Sequence, residues 1–370
     1  MKKLIIVSAV NLVEGGPLTV LQGCLRYLSA NLSTEFEIIA LVNRKELFPF
    51  ENIKYLEFPA SKKSWFNRLY YEYHYFSKLA KQLKPFLWLS LHDITPNVTA
   101  NRLAVYCHNP SPFYKLSFKE AMMDPKFALF NIFYKFLYRI NIKKSNFVIV
   151  QQDWLRQEFI KTYKIKNVIV SHLNVYNEHF EKEADKVISP DSNFIFFYPA
   201  FPRVFKNFEV ICKASEILLK QGIYNFQVIF TIFGAENCYS RYIYNSFKHI
   251  KNIKFVGILS RDTVLELYNN VNCVIFPSKL ETWGIPITEA KLFMKPLLLA
   301  DLEYAHETLG AYDKVKFFDP DDAEQLADAM KELINRTAVF EKTEANIIPA
   351  PFSQNWKELF DILLRQQNNV

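Results

Sequence analysis

The stretch from Val271 to Ala300 reads VNCVIFPSKLETWGIPITEAKLFMKPLLLA, and few folds can accommodate it. The apolar run Val271 to Phe276 is strand-sized and reads as a buried strand. A loop, Pro277 to Trp283, follows. Gly284 and Pro286 mark a helix start, because proline in the first turn gives up an N–H that has no partner there. The helix carries on through Lys291 and stops before Pro296. A second apolar run, Leu297 to Ala300, is the next strand. Strand, loop, helix and strand in so short a span form the unit of a parallel α/β sheet, whose neighbouring strands need a crossover between them.

Two carboxylates flank the turn, Glu281 in the loop and Glu289 inside the helix. Free N–H groups and the positive dipole end at Gly284–Ile287 suit a phosphate. Glu281 at the mouth of the loop and Glu289 one turn into the helix suit sugar hydroxyls. The plainer account makes Glu281 a solvated loop residue and Glu289 a solvent-facing helix residue, and the spacing alone leaves both accounts open.

Alternating strands and helices fill the chain on both sides of a polar segment. Leu4–Ala9, Phe36–Val42, Ile53–Phe58, Phe86–Ser90, Leu103–Cys107, Phe147–Gln151 and Val168–Ser171 read as strands of a first half. Glu178 to Asp191 is charged, lacks strong periodicity and reads as a linker. The pattern restarts with strands at Asn193–Tyr198, Phe226–Gly234 and Ile253–Val256, and it closes with helices at Ala323–Leu333 and about Ser353–Leu364. A chain of 370 residues fits two such domains.

Several loops after strands carry chemistry. Gly15-Gly16-Pro17 lies between the first strand and a helix with Leu18, Leu21, Leu25 and Leu28 on one face. The glycine pair allows a ligand close to the backbone, although it is not a full G-x-G-x-x-G. His92 and His108 each follow a strand's carboxyl end, where a side chain reaches the crevice of an open sheet and a near-neutral pKa can serve a reacting group. His92 is the weaker candidate. Arg203 and Lys206 lie in the loop Pro199–Asn207. Asp153 is placed to cap the helix Trp154–Tyr163. Asp319-Pro320-Asp321 spells an Asp-x-Asp, yet a helix follows it directly, so it reads as turn and N-cap rather than metal ligands.

Glu281-x7-Glu289 with its internal Gly-Ile-Pro and closing Glu-Ala resembles the signature of retaining glycosyltransferases of family 4, the glycosyl transferases group 1. The resemblance covers the whole chain loosely and is strongest from about 255 to 320. It implies an α/β fold of two Rossmann-like domains facing across a cleft (GT-B): residues 1–185 as an acceptor-binding domain, 190–350 as the nucleotide-sugar-binding domain, and 351–370 as a C-terminal helix crossing back to the first. It also implies roles. Gly15 and Gly16 match the Gly-rich turn against the donor diphosphate. His108, in His-Asn-Pro, matches the histidine that contacts the transferred sugar. Arg203 and Lys206 match the bases for the diphosphate, Lys206 better than Arg203. Gly257 and Leu259 fall where the family's loop meets the nucleobase. Glu281 would lie beside the donor sugar, Glu289 would hold the ribose, and Gly284 and Ile285 would form the helix start. Thr282-Trp283 replaces the family's Gly-Phe where donor-sugar choice is made.

The implied activity is retaining transfer of a sugar from a nucleotide-diphosphate-sugar to a hydroxyl of a glycan or lipid-linked acceptor, as in O-antigen or capsule synthesis. No cofactor and no metal are expected. Front-face attack is favoured over a covalent intermediate, because nothing near the site is an obvious nucleophile. A sugar-nucleotide epimerase on the same fold, or a non-catalytic sugar-nucleotide-binding protein, is the alternative.

Composition narrows the partners. The formal charge of +7 suits phosphate-bearing ligands or an anionic membrane surface. No recognisable nucleic-acid motif is present, so nucleic acid is not expected as a partner. Five scattered cysteines without metal spacing, and no signal peptide, point to a reduced, cytoplasmic chain. No apolar run approaches a membrane span. Two segments, Ser61–Lys84 and Lys126–Lys144, interleave bases with aromatics. They read as helices that either touch an anionic membrane peripherally or pack their aromatic faces on the sheet.

Overall fold

The computed structural model describes residues 2–173 and 193–365. The expected linker, Glu178–Asp191, lies outside them. The chain forms two compact units. One comprises Met1–Phe113, Asn131–Glu178 and Ile348–Val370, and the other Tyr114–Phe130 and His179–Ile347.

The first unit contains β1 (Lys3–Ala9), β2 (Phe36–Val42), β3 (Lys54–Glu57), β4 (Leu87–Ser90), β5 (Arg102–Cys107), β6 (Phe147–Val150) and β7 (Val168–Ser171). The second contains β8 (Phe194–Tyr198), β9 (Phe226–Phe230), β10 (Ile253–Phe255), β11 (Cys273–Phe276), β12 (Leu297–Ala300), β13 (Tyr312–Phe318) and β14 (Glu341–Thr343). A last short strand, β15 (Phe352–Ser353), returns to the first sheet. The sheet orders are β15-β7-β6-β5-β4-β1-β2-β3 and β10-β9-β8-β11-β12-β13-β14. Among the described residues, every pairing is parallel except that of β13 with β14.

Both sheets carry the Rossmann strand order. Their reversal points, where such sheets bind ligands at the carboxyl ends, lie between β1 and β4 and between β8 and β11. The strands at these points are buried on both faces, which is why they read as continuous apolar runs rather than alternating ones: Ile5, Ile6, Val7, Leu87, Trp88 and Leu89 are fully buried. The closing helix, Trp356–Leu364, packs within the first unit, where the Phe360 ring stacks on Tyr27 with centroids 5.6 Å apart. A Cβ on Gly23 would come within 2.8 Å of the Trp356 indole, so this contact requires glycine.

Several local expectations need correction. Asp153 does not cap its helix; Gln152 is the cap residue, and Asp153 sits in the first turn, ion-paired with Arg156. The cap of Ala323–Ile334 is Asp322, whose carboxylate accepts from the N–H groups of Glu324 and Gln325, each at 2.9 Å. The segment Ser61–Lys84 is helical from Trp65 to Leu83, with a π-helical turn at Tyr71–Tyr75. The helix expected over Lys126–Lys144 is Pro125–Arg139, ended where Asn141 turns left-handed (φ 61°). Tyr114–Phe130 falls with the second unit because Phe127 and Tyr114 pack on Phe205, with centroids 5.0 and 6.2 Å apart.

Candidate functional site

In the second unit, Lys206 ends a single 3-10 turn, Val204–Lys206, after β8, and Glu281 stands in the loop after the adjacent strand β11. Strand adjacency therefore brings two residues distant in sequence to one place, at the reversal point. Their side chains form an ion pair and are only 16% and 14% exposed. The Tyr198 hydroxyl donates to the Lys206 carbonyl at 2.7 Å, fixing the turn that carries the lysine. Burial, with the Glu281 charge adding to it, pushes the Tyr198 and Tyr304 hydroxyls well above their ordinary pKa, so both stay protonated donors. A pair this little exposed holds each charge in place, and removing either partner leaves the other uncompensated.

The helix beyond that loop spans Ile285–Leu292, with Pro286 in its first turn. Its start depends on Gly284, which has φ 76°. A Cβ there would also lie 3.2 Å from Ile287 Cδ1 and 3.3 Å from Phe276 Cε1. Thr282 and Trp283 are half-buried. The Trp283 indole N–H donates to Thr288 Oγ1 at 3.1 Å, and its carbonyl accepts from the Thr308 hydroxyl. The tryptophan is thus tied to the helix it precedes.

Glu289 is buried, at 2% exposure. It accepts from the Tyr268 hydroxyl at 2.8 Å and is ion-paired with Arg261. This carboxylate faces inward, contrary to the plainer sequence account of a solvent-facing position. It borders a cavity of about 270 Å³ lined by Ala200, Thr231, Leu259, Arg261, Ile285 and Glu289 among others. The cavity lies beyond the carboxyl ends of β8, β9 and β10. Gly257 (φ 79°) makes the turn that delivers Ile258 and Leu259 to it. Leu259, Ile285 and Glu289, three of the expected residues, thus share one pocket. Among the described residues, Lys206 and Glu281 are not part of its lining. Nor is Arg203, which donates to Asp124 Oδ2 at 3.1 Å and packs 5.6 Å from the Phe201 ring.

In the first unit, Gly15 (φ 69°) opens the helix Gly15–Tyr27, and a Cβ on Gly16 would meet no atom within 4 Å. His108 leaves β5 with its Nε2 2.9 Å from the Leu91 carbonyl. A carbonyl only accepts, so the ring proton is on Nε2 and Nδ1 is the acceptor nitrogen. Burial holds its pKa below the ordinary value, opposed by Asp93 and the Leu91 carbonyl. His92 is fully buried instead, 3.2 Å from Glu72 and 3.1 Å from Ser8. It belongs to an interior network with Arg68, which donates to the His92 carbonyl at 2.7 Å.

Sequence reasoning missed Arg261, Tyr268, Asp124 and Asp93 as site residues. Only Asp93 carried a local signal, since it directly follows His92 at a strand's end. The Asp-x-Asp stays a turn: Asp319 Oδ1 accepts the Asp321 N–H at 2.8 Å, and Lys279 pairs with Asp321. Among the described residues, no group of three or more His, Cys, Asp or Glu could hold a metal ion.

Residues 177–350 match the family model of glycosyl transferases group 1. The O-antigen chain mannosyltransferase RfbU of Salmonella typhimurium (strain LT2) is 20% identical over 271 residues, covering 72% of this chain and 70% of its own. Two solved structures are similar in fold. One is the lipopolysaccharide outer core galactosyltransferase WaaB in its apo form (TM-score 0.60, 12% identity, 90% of each chain). The other is Anabaena Alr3699/HepE in complex with UDP and glucose (TM-score 0.58, 13% identity, 90% of each chain). The chain is thus an α/β protein of the GT-B class, and its second unit carries the match to glycosyl transferases group 1.

Proposed function

We propose that this protein is a retaining, metal-independent glycosyltransferase of family 4. It moves a sugar from a nucleotide-diphosphate-sugar to a hydroxyl of a glycan or lipid-linked acceptor, in surface-polysaccharide synthesis of the O-antigen or capsule kind. The observation that carries the reading is the buried Glu289, held by Arg261 and Tyr268, at the wall of a cavity beyond the strand ends, in the segment that matches glycosyl transferases group 1. The similarity to RfbU supports the polysaccharide setting, and the HepE complex supports a nucleotide-sugar donor.

In this reading the cavity takes the nucleoside, with Leu259 beside the base and Glu289 accepting from the ribose hydroxyls. Lys206, the helix start at Gly284 and, more distantly, Arg203 offset the charge that develops on the leaving diphosphate, an electrostatic task that other transferases give to a metal. Gly15 and Gly16 leave room for the diphosphate against the backbone. Glu281 orients the donor sugar, and Thr282 and Trp283 shape its surroundings. His108 offers Nδ1 as an acceptor to a sugar hydroxyl. The acceptor attacks from the face the nucleotide leaves, which retains configuration without an enzyme nucleophile. The five free cysteines and the lack of a membrane-spanning helix among the described residues are compatible with work at the cytoplasmic side.

The test is a thermal-shift screen of UDP-, GDP- and other nucleotide sugars, followed by assay of the hit with labelled donor. One donor class should stabilise the protein, and label should move only when an acceptor is supplied. Interconversion of the donor without acceptor, or neither shift nor transfer with any donor, overturns the proposal.

A further inference from the structure

Two aromatic, basic helical segments of the first unit, within Trp65–Leu83 and from Asn131 to Arg139, lie side by side. In the segment Trp65–Leu83, the Trp65 indole meets the Phe133 ring edge-on with centroids 4.9 Å apart and Tyr134 at 6.1 Å. Phe133 and Tyr134 belong to the helix Pro125–Arg139. The inward faces are satisfied by this contact, by Phe76 on the sheet residue Trp88 and by Tyr138 on Phe159. What remains outside is unusually apolar: Phe66 is 85% exposed, Phe136 60%, Ile132 55% and Tyr70 53%. Isolated exposed apolar residues are ordinary, but aromatic and aliphatic residues gathered on two adjoining helices mark a surface that something covers.

The charges choose the partner. Lys63, Lys78, Lys81, Lys135, Arg139 and Lys143 are exposed on or beside the same helices. The single acid between Ser61 and Lys84, Glu72, is fully buried, and Lys126–Lys144 contains no acid. Lys62 is the exception among the bases, being paired with Glu14 of a neighbouring loop. Every exposed charge on the two segments is therefore positive. Apolar rings interleaved with an unopposed basic surface match the interface of an anionic bilayer, where rings enter the headgroup region and bases meet lipid phosphates.

We propose that this face docks the protein, without crossing the bilayer, on a membrane surface rich in anionic lipid. The inference does not depend on the transfer reaction. The full-length chain should float with vesicles of phosphatidylglycerol and phosphatidylcholine in equal parts, stay unbound to pure phosphatidylcholine, and be released by salt, since exposed charges are screened. Replacing Phe66, Tyr70, Ile132 and Phe136 together by serine should weaken flotation at least about tenfold. Lys135→Glu with Arg139→Glu should weaken it by about fivefold or more per charge. Circular dichroism melts verify that each variant is folded, and the charge variant decides if the serine variant is not. Absence of flotation, equal binding to neutral vesicles, or unchanged binding by the folded variants overturns the proposal. So does a dimer in sedimentation equilibrium that the serine variant dissolves, because a second copy would then be what covers the face.

Discussion

Asp93 Oδ1 accepts the backbone N–H of His108 at 2.6 Å and that of Asn109 at 3.0 Å. The same oxygen takes the Tyr138 hydroxyl at 2.9 Å. Asp93 reaches this position with left-handed backbone, φ 71°. One carboxylate after β4 thus holds the loop after β5 that presents the histidine. Asp93→Ala should cost about 1–3 kcal/mol by taking this acceptor from the His108 and Asn109 N–H groups, and should sharply reduce transfer. Asp93→Asn keeps an oxygen and tolerates left-handed backbone, so it should keep most of both. Melts and initial rates on the two variants check the difference.

The Lys206–Glu281 pair should show strong coupling. Lys206→Ala is expected to lower kcat about 10²–10³-fold, the usual consequence of removing one preorganised group that stabilises developing negative charge. Both Lys206→Ala and Glu281→Ala should also lower the melting temperature, because each leaves a nearly buried charge alone. The double variant should be less destabilised than the sum of the two, as a double-mutant cycle in melts would reveal.

Glu289→Ala should weaken nucleotide binding about 10–100-fold, since it removes the acceptor at the cavity wall that the Tyr268 hydroxyl and Arg261 share. Calorimetric titration with the nucleoside diphosphate of the identified donor measures it. Arg261→Ala is expected to act in the same direction, because Glu289 then lies buried without its cation.

Gly284→Ala and Gly222→Ala make a controlled comparison. Both glycines have positive φ, 76° and 78°, so each substitution costs about 1 kcal/mol in backbone strain. A Cβ at 222 meets nothing within 4 Å, whereas one at 284 presses on Ile287 and Phe276. Gly284→Ala should therefore lower the melting temperature more, and it alone should lower transfer.

Burial lifts the Glu72 carboxyl from 4.5 to about 8 despite the opposing charge of Arg68. A carboxyl raised on folding binds its proton more tightly in the native state, so its contribution to stability is largest below 4.5 and is lost as pH rises toward 8. Relative to Glu72→Gln, the unsubstituted protein should lose stability across that window. Melts of both proteins across pH provide the check, and parallel pH profiles would refute it.

Much of the fold was legible because parallel strands buried on both faces are written as unbroken apolar runs, and β12 was read to the residue. The short edge strands β14 and β15 were not, since three and two residues carry too little pattern to separate from loop. The cap at Asp322 was misplaced by one residue because the run Asp319 to Asp322 offers several carboxylates, and only backbone geometry selects among them.

By itself, the sequence determined the alternation of strands and helices, the glycine at the start of the helix after β11 and the two glutamates around it, because spacing, proline and glycine act over a few residues. Tertiary structure decided the partners. Lys206 meets Glu281 because β8 and β11 are neighbours in the sheet, and Arg261 and Tyr268 meet Glu289 because the helices carrying them pack together. Such pairings join residues tens of positions apart through sheet order and helix packing, which local propensity does not encode.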